Sequence, residues 1–161
     1  MEHVTANDLN THQLKVALVG KPNCGKSTLF NILTGLHQRT GNFAGVTVDK
    51  KTGYARLHKD GKELAVAYID LPGTYSLYPK SIDEKVSFDI LTDPENADHP
   101  DVVILVADAT NLKRSLFIAT QLIDLKIPCV LALNMMDEVA KSGLQIYCLA
   151  LSLRLGIPVA E

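Results

Sequence analysis

The chain has 161 residues, 47% of them hydrophobic and 21% charged, with a formal net charge of -2, so it is long enough for one domain with a real core and too short for two comfortable ones. That charge gives no footing to a nucleic-acid partner, and the basic pair Lys50-Lys51 reads as a solvated strand face. Three widely spaced cysteines (Cys24, Cys129, Cys148) argue against a disulfide framework and form no metal site, and the scattered histidines (His3, His12, His37, His58, His99) read as surface residues.

The polar start, residues 1–13, is a lead-in without the features of a signal peptide, and no apolar run approaches the roughly 20 residues of a membrane span. Residues 14–19 (LKVALV) form a short apolar run ending in Gly20, a buried strand feeding a glycine-bearing loop. From Lys26 the period changes to helical, with Leu29, Phe30 and Leu33 on one face and Gly35 as the stop. The stretch 36–49 has no period and two glycines, which predicts a loop able to move. Runs 51–58 and 63–70 flank Asp60-Gly61, a strong hairpin signal. A short helix is predicted over 82–91, a polar connection over 92–100, and a continuous apolar strand over 102–107. Leu116, Ala119, Leu122 and Ile123 set a helix over 112–125, Pro128 blocks its continuation, and 129–133 is another buried strand. A last helix over 147–155 stops at Gly156 before a terminal strand, 157–160. Its run 146–151 is apolar nearly all round, so it is either buried against the sheet or faces a partner, and burial is the expectation. Strands alternating with helices imply a three-layer α/β fold, with a mostly parallel six-stranded sheet and one antiparallel edge hairpin.

Gly20-Lys21-Pro22-Asn23-Cys24-Gly25-Lys26-Ser27 fits G-x-x-x-x-G-K-[ST], the phosphate-binding loop, between a strand and a helix as that motif requires. Glycines let backbone N–H groups turn inward around phosphate oxygens, and the following helix N-terminus adds a favourable dipole. Lys26 supplies a point charge to the β- and γ-phosphates, and the Ser27 hydroxyl is a Mg2+ ligand. Asp70-Leu71-Pro72-Gly73 ends a strand, where the acid can hold the Mg2+ shell and the glycine N–H can meet the γ-phosphate. Asn134-Met135-Met136-Asp137 follows the strand 129–133. A carboxylate at Asp137 accepts from guanine N1 and N2, whereas adenine offers no such pair of donors, and a site built for one base rejects the other by about 10^4-fold or more. Taken alone, N-x-x-D also reads as a turn with a helix cap. Thr47, between phosphate loop and hairpin, is the candidate switch hydroxyl that reaches Mg2+ when a γ-phosphate is present.

These elements follow the order of the translation-factor-like small GTPases, within the Ras-like P-loop NTPase fold. The finer resemblance is to the N-terminal cytosolic G domain of the bacterial ferrous iron transport protein B family. It is carried by GKPNCGKST (20–28, including Thr28), NFAGVTVD (42–49), DLPGTYSL (70–77), SIDEK (81–85) and NMMDE (134–138), and it covers roughly 14–160. The resemblance implies a GTP- and GDP-binding, slowly hydrolysing domain at the cytoplasmic face of the bacterial inner membrane, dependent on Mg2+ and stimulated by K+. Asn23 helps hold the monovalent cation in that scheme. Thr74 stands where Ras has the glutamine that orients attacking water, and Met135 where a lysine usually covers the base, which keeps apolar packing and suggests weaker nucleotide retention. The resemblance also implies a permease domain in the same polypeptide and a G domain over 14–161 cut short before its last base-supporting loop; a homo-oligomer is left open. Two other readings share the motifs: a nucleotide-gated switch with negligible turnover, and a ribosome- or tRNA-associated GTPase.

Overall fold

The computed structural model describes residues 13–161, so the lead-in, with His3 and His12, lies outside the described residues apart from Gln13. A seven-stranded sheet is ordered β2-β3-β4-β1-β5-β6-β7. In chain order the elements are β1 (Leu14–Val19), α1 (Lys26–Thr34), β2 (Gln38–Asn42), β3 (Asp49–Lys59), β4 (Lys62–Asp70), α2 (Ile82–Thr92), β5 (Val102–Asp108), α3 (Leu112–Asp124), β6 (Cys129–Asn134), α4 (Met136–Lys141), α5 (Cys148–Leu155) and β7 (Val159–Ala160). β1 is central, parallel to both β4 and β5, and β6 and β7 extend the parallel part. β3 runs antiparallel to β4 and to β2. Asp60 and Gly61 at the β3–β4 tip have φ of 51° and 73°, the double positive-φ turn that Asp-Gly favours.

The period of two along β1 sends alternate residues to opposite layers. Ala17 and Val19 join Ile69, Val103, Leu105, Leu131 and Leu133 in the larger core, where Ile90 and Leu91 of α2 and Ile118, Ala119 and Leu122 of α3 pack. Val16 and Leu18 face the other way, onto Phe30 of α1 with Val66 and Tyr68. Strand β1 is thus buried from both sides, and its C-terminal end delivers Gly20 between the layers.

α1 sits close on the sheet because Gly53 of β3 has no side chain: a Cβ there would stand 2.1 Å from Thr34 Cγ2 and 3.1 Å from Phe30 Cζ. Gly53→Ala should therefore destabilise the fold by about 1–3 kcal/mol through overpacking, read as a lowered midpoint in urea. An unchanged midpoint would mean that α1 slides away without cost.

The structure departs from these expectations at four points. The sheet has seven strands, not six, because β2 lies inside 36–49; all five of its residues are exposed, so no apolar alternation marks it. α4 begins inside the N-x-x-D motif and is only six residues long, too short to show a period. α5 is not buried all round: Cys148, Leu151 and Leu155 pack against the core, while Leu149 and Leu153 are 76% and 77% exposed. The 3.6-residue repeat turns only one stripe of that apolar run inward. Lys50, placed on a solvated face, instead ion-pairs with Asp98 and lies 5.8 Å from the centre of the Phe43 ring.

Candidate nucleotide site

The loop between β1 and α1 curls over the C-terminal edge of the sheet, where a parallel α/β fold gathers its ligands. A cleft of about 470 Å³ is lined by Asn23, Gly25, Lys26, Ser27 and Thr28 of this loop, and by Gly73 from the turn after β4. Asn23 (φ 63°) and Gly25 (φ 90°) hold the left-handed backbone that bends the loop around it. Gly25 is also the N-cap of α1 and has no side-chain cap, so the first-turn N–H groups stay free for an anion. Cys24 is fully buried behind the loop; burial pushes its thiol up, which keeps it neutral and unreactive.

Lys26 Nζ bonds to Asp70 Oδ1, and Ser27 Oγ lies 3.4 Å from Asp70 Oδ2. Asp70 is thus brought to Lys26 and Ser27, which are 44 and 43 positions away in sequence, the side chains of the pair Lys26–Asp70 being 11% and 7% exposed. A hydroxyl and a carboxylate at this separation are a hard oxygen donor set, and the residues present fit Mg2+. Thr47 is exposed on the loop after β2 and is not among the residues lining the cleft.

The N-x-x-D segment is tied to the loop by a hydrogen bond: Asn134 Nδ2 donates to Cys24 O at 2.9 Å. The fit is tight, since a Cβ on Gly25 would fall 1.9 Å from the same Nδ2. Met135 adopts φ 63° and starts α4, which presents Asp137 at the surface. Lys141, one turn on, reaches Asp137 at 3.3 Å and Glu138 at 2.7 Å. The hydrogen bond from Lys141 holds the Asp137 carboxyl below the usual carboxylate range, so it is an acceptor at neutral pH.

Two features had no sequence signal. Lys21 Nζ pairs with Asp108 at the end of β5 at 2.9 Å, pinning the phosphate loop to a second strand. Burial opposes ionisation of Asp108, but its bonds from Lys21 and Thr110 outweigh this and hold it below the usual range. Thr74 is 1% exposed, donates its N–H to Gly20 O at 3.0 Å and its hydroxyl to Ser76 O at 2.6 Å, and so faces inward here, away from the cleft. Among the described residues, no group of three or more His, Cys, Asp or Glu side chains is placed to hold a metal ion, and no helix is long and apolar enough to cross a membrane.

Residues 14–161 match the sequence model of the ferrous iron transport protein B family. A Porphyromonas gingivalis protein described as an Fe(2+) transport protein A/Fe(2+) transporter FeoB fusion is 45% identical over 93% of this chain, which spans 17% of that protein's length. The crystal structure of the G domain of the T. maritima FeoB iron transporter superposes with a TM-score of 0.79 at 43% identity, covering 92% of this chain and 86% of that one. The cytosolic domain of the same T. maritima transporter in a GMPPNP form gives 0.81 at 44% identity, covering 92% and 55%.

Proposed function

The chain belongs to the ferrous iron transport protein B family, and from that premise we propose that it is the transporter's G domain, binding GTP and GDP with Mg2+ and hydrolysing GTP slowly. The observation that carries this reading is the bond from Asn134 to the Cys24 carbonyl. It ties the segment that carries Asp137 to the loop that carries Lys26, which supports one joint site for base and phosphates. The T. maritima relative in a GMPPNP form supports the same ligand class, since GMPPNP is a GTP analogue.

In this reading the backbone N–H groups of 23–28 wrap the β-phosphate, and Lys26 leaves Asp70 for the β- and γ-oxygens. Ser27 and, when its loop closes, Thr47 would hold Mg2+ through their hydroxyl oxygens, with Asp70 beside them. When bound, the ion would supply charge neutralisation to the phosphates. Asn23, exposed on the cleft wall, offers its side-chain oxygen to K+. The Gly73 N–H meets the γ-phosphate, and the domain assists in-line attack of water by positioning and charge stabilisation. No side chain serves as general base, and the inward-facing Thr74 gives the attacking water in the cleft no partner, which accounts for a low rate. Ordering of the loops bearing Thr47 and Thr74 with GTP, and their relaxation with GDP, would be the signal passed to the membrane permease part of the same polypeptide, through which ferrous iron moves. The domain then sits at the cytoplasmic face of the bacterial inner membrane.

Single-turnover phosphate release tests the cation. The rate in K+ should exceed that in Na+ by about tenfold or more, and Asn23→Ala should bring the K+ rate down to the Na+ rate. Equal rates in the two salts would remove the cation from the mechanism; no turnover in either would favour the pure switch. A ribosome-associated role has no support in a chain of net charge -2.

A further inference from the structure

Behind the turn that follows Gly73, across Lys21 from the nucleotide cleft, lies a largely enclosed cavity of about 10 Å³. That is the room one water molecule occupies. Its walls include Leu105 and Ile118 of the core, with Lys21, Thr74, Arg114 and Ser115 among the polar lining. Ser115 stands in the first turn of α3 and is 4% exposed, yet its hydroxyl finds no hydrogen-bond partner among the described residues. A buried hydroxyl without a partner is costly, and a serine near a helix start commonly bonds back to the carbonyl four residues earlier. Here it makes no such bond.

We propose that Ser115, Lys21 and Thr74 hold one buried water, and that Ser115 thereby acts as a positioning residue for the turn after Gly73. Each partner has capacity to spare. The Lys21 ammonium gives one of its three protons to Asp108 at 2.9 Å. The Thr74 hydroxyl donates to Ser76 O and accepts from Ser76 N at 3.3 Å, which leaves one lone pair. A water accepting from Lys21 and Ser115 and donating to Thr74 has the two to four polar partners that internal waters require. The bridge joins three elements: the phosphate loop through Lys21, the turn through Thr74, and α3 through Ser115. It reinforces the two direct straps on the same turn, Thr74 N–H to Gly20 O at 3.0 Å and Leu77 N–H to Gln121 Oε1 at 2.9 Å. Outward movement of Thr74 then requires giving up a water-mediated bond, so α3 biases the turn inward whatever occupies the cleft.

Ser115→Ala separates the two states of the cavity by sign. With water present, the variant leaves it short of a partner, and the melting temperature falls by roughly 2–4 °C. In a dry cavity, alanine removes an unsatisfied group and improves helix propensity, so the melting temperature holds or rises. A positioning role adds a local readout that loss of α3 packing alone would not give. Amide hydrogen exchange of 74–77 should quicken several-fold in Ser115→Ala while that of 118–124 in α3 is unchanged, and Ser115→Thr, which keeps the hydroxyl, should restore slow exchange. A crystal structure with ordered buried solvent should show density within hydrogen-bond reach of Ser115 Oγ. A dry cavity, or a variant that melts higher with unaltered exchange at 74–77, overturns the proposal. Neither readout depends on GTP turnover, so the fate of this inference and that of the GTPase reading are distinguishable.

Discussion

Lys26→Ala is expected to lower GTP affinity by about 10²-fold, a loss of roughly 3 kcal/mol that matches the upper end for a charge-assisted hydrogen bond. The physical argument runs through Asp70. In the structure the ammonium is bonded to that carboxylate in a site where both side chains are largely buried. A triphosphate therefore draws Lys26 from one anion to another, and the net gain is a difference between two strong interactions rather than the gross attraction. GDP, which lacks the γ-phosphate, should lose less. Calorimetric titration of the variant with each nucleotide reads the split, and near-normal GTP affinity would place Lys26 outside the phosphate cradle.

Asp137→Asn should move base preference from guanine toward xanthine, with GTP binding weakened by at least about 10²-fold and the xanthosine triphosphate gaining. The carboxylate accepts two guanine N–H groups, whereas an amide presents its own N–H to one of them and suits the xanthine C2 oxygen instead. The hydrogen bond from Lys141 holds the Asp137 carboxyl below the usual carboxylate range, so the acid stays charged further into acid than a free aspartate would. Guanine selectivity should accordingly persist from neutral pH down through the ordinary carboxylate range and fail only below it. Competition between GTP and the xanthosine analogue for the variant measures the switch; unaltered guanine preference would take Asp137 out of the site.

Much of this was legible in the residues because phosphate binding imposes a spacing that few other structures share. Gly25 illustrates the limit of that legibility. The motif demands glycine for close phosphate approach, but the structure adds a second reason, the Asn134 amide packed where a Cβ would go. Contacts such as Asn134 to Cys24, 110 residues apart, or Lys21 to Asp108 depend on strand order, which no local pattern encodes. Strand β2 was invisible for another reason: an edge strand with every residue exposed carries no apolar alternation. The apolar run at 146–151 misled in the opposite direction, since Tyr147 and Leu149 are exposed where composition pointed to burial. Ser115 is unremarkable in sequence, and only its burial without a partner draws notice. Thr74 could be seen to replace a glutamine, yet its inward hydroxyl follows from the Ser76 carbonyl two residues on.

The proposed guanine-selective site is built jointly by the phosphate loop and the Asn134–Asp137 segment. Isothermal titration of the unmodified chain with GDP, GTP and ATP in Mg2+ and K+ tests it most directly. Saturable heat with both guanine nucleotides, and none with ATP at the same concentrations, is the predicted result. Equal binding of ATP, or no heat with any of the three, would contradict it.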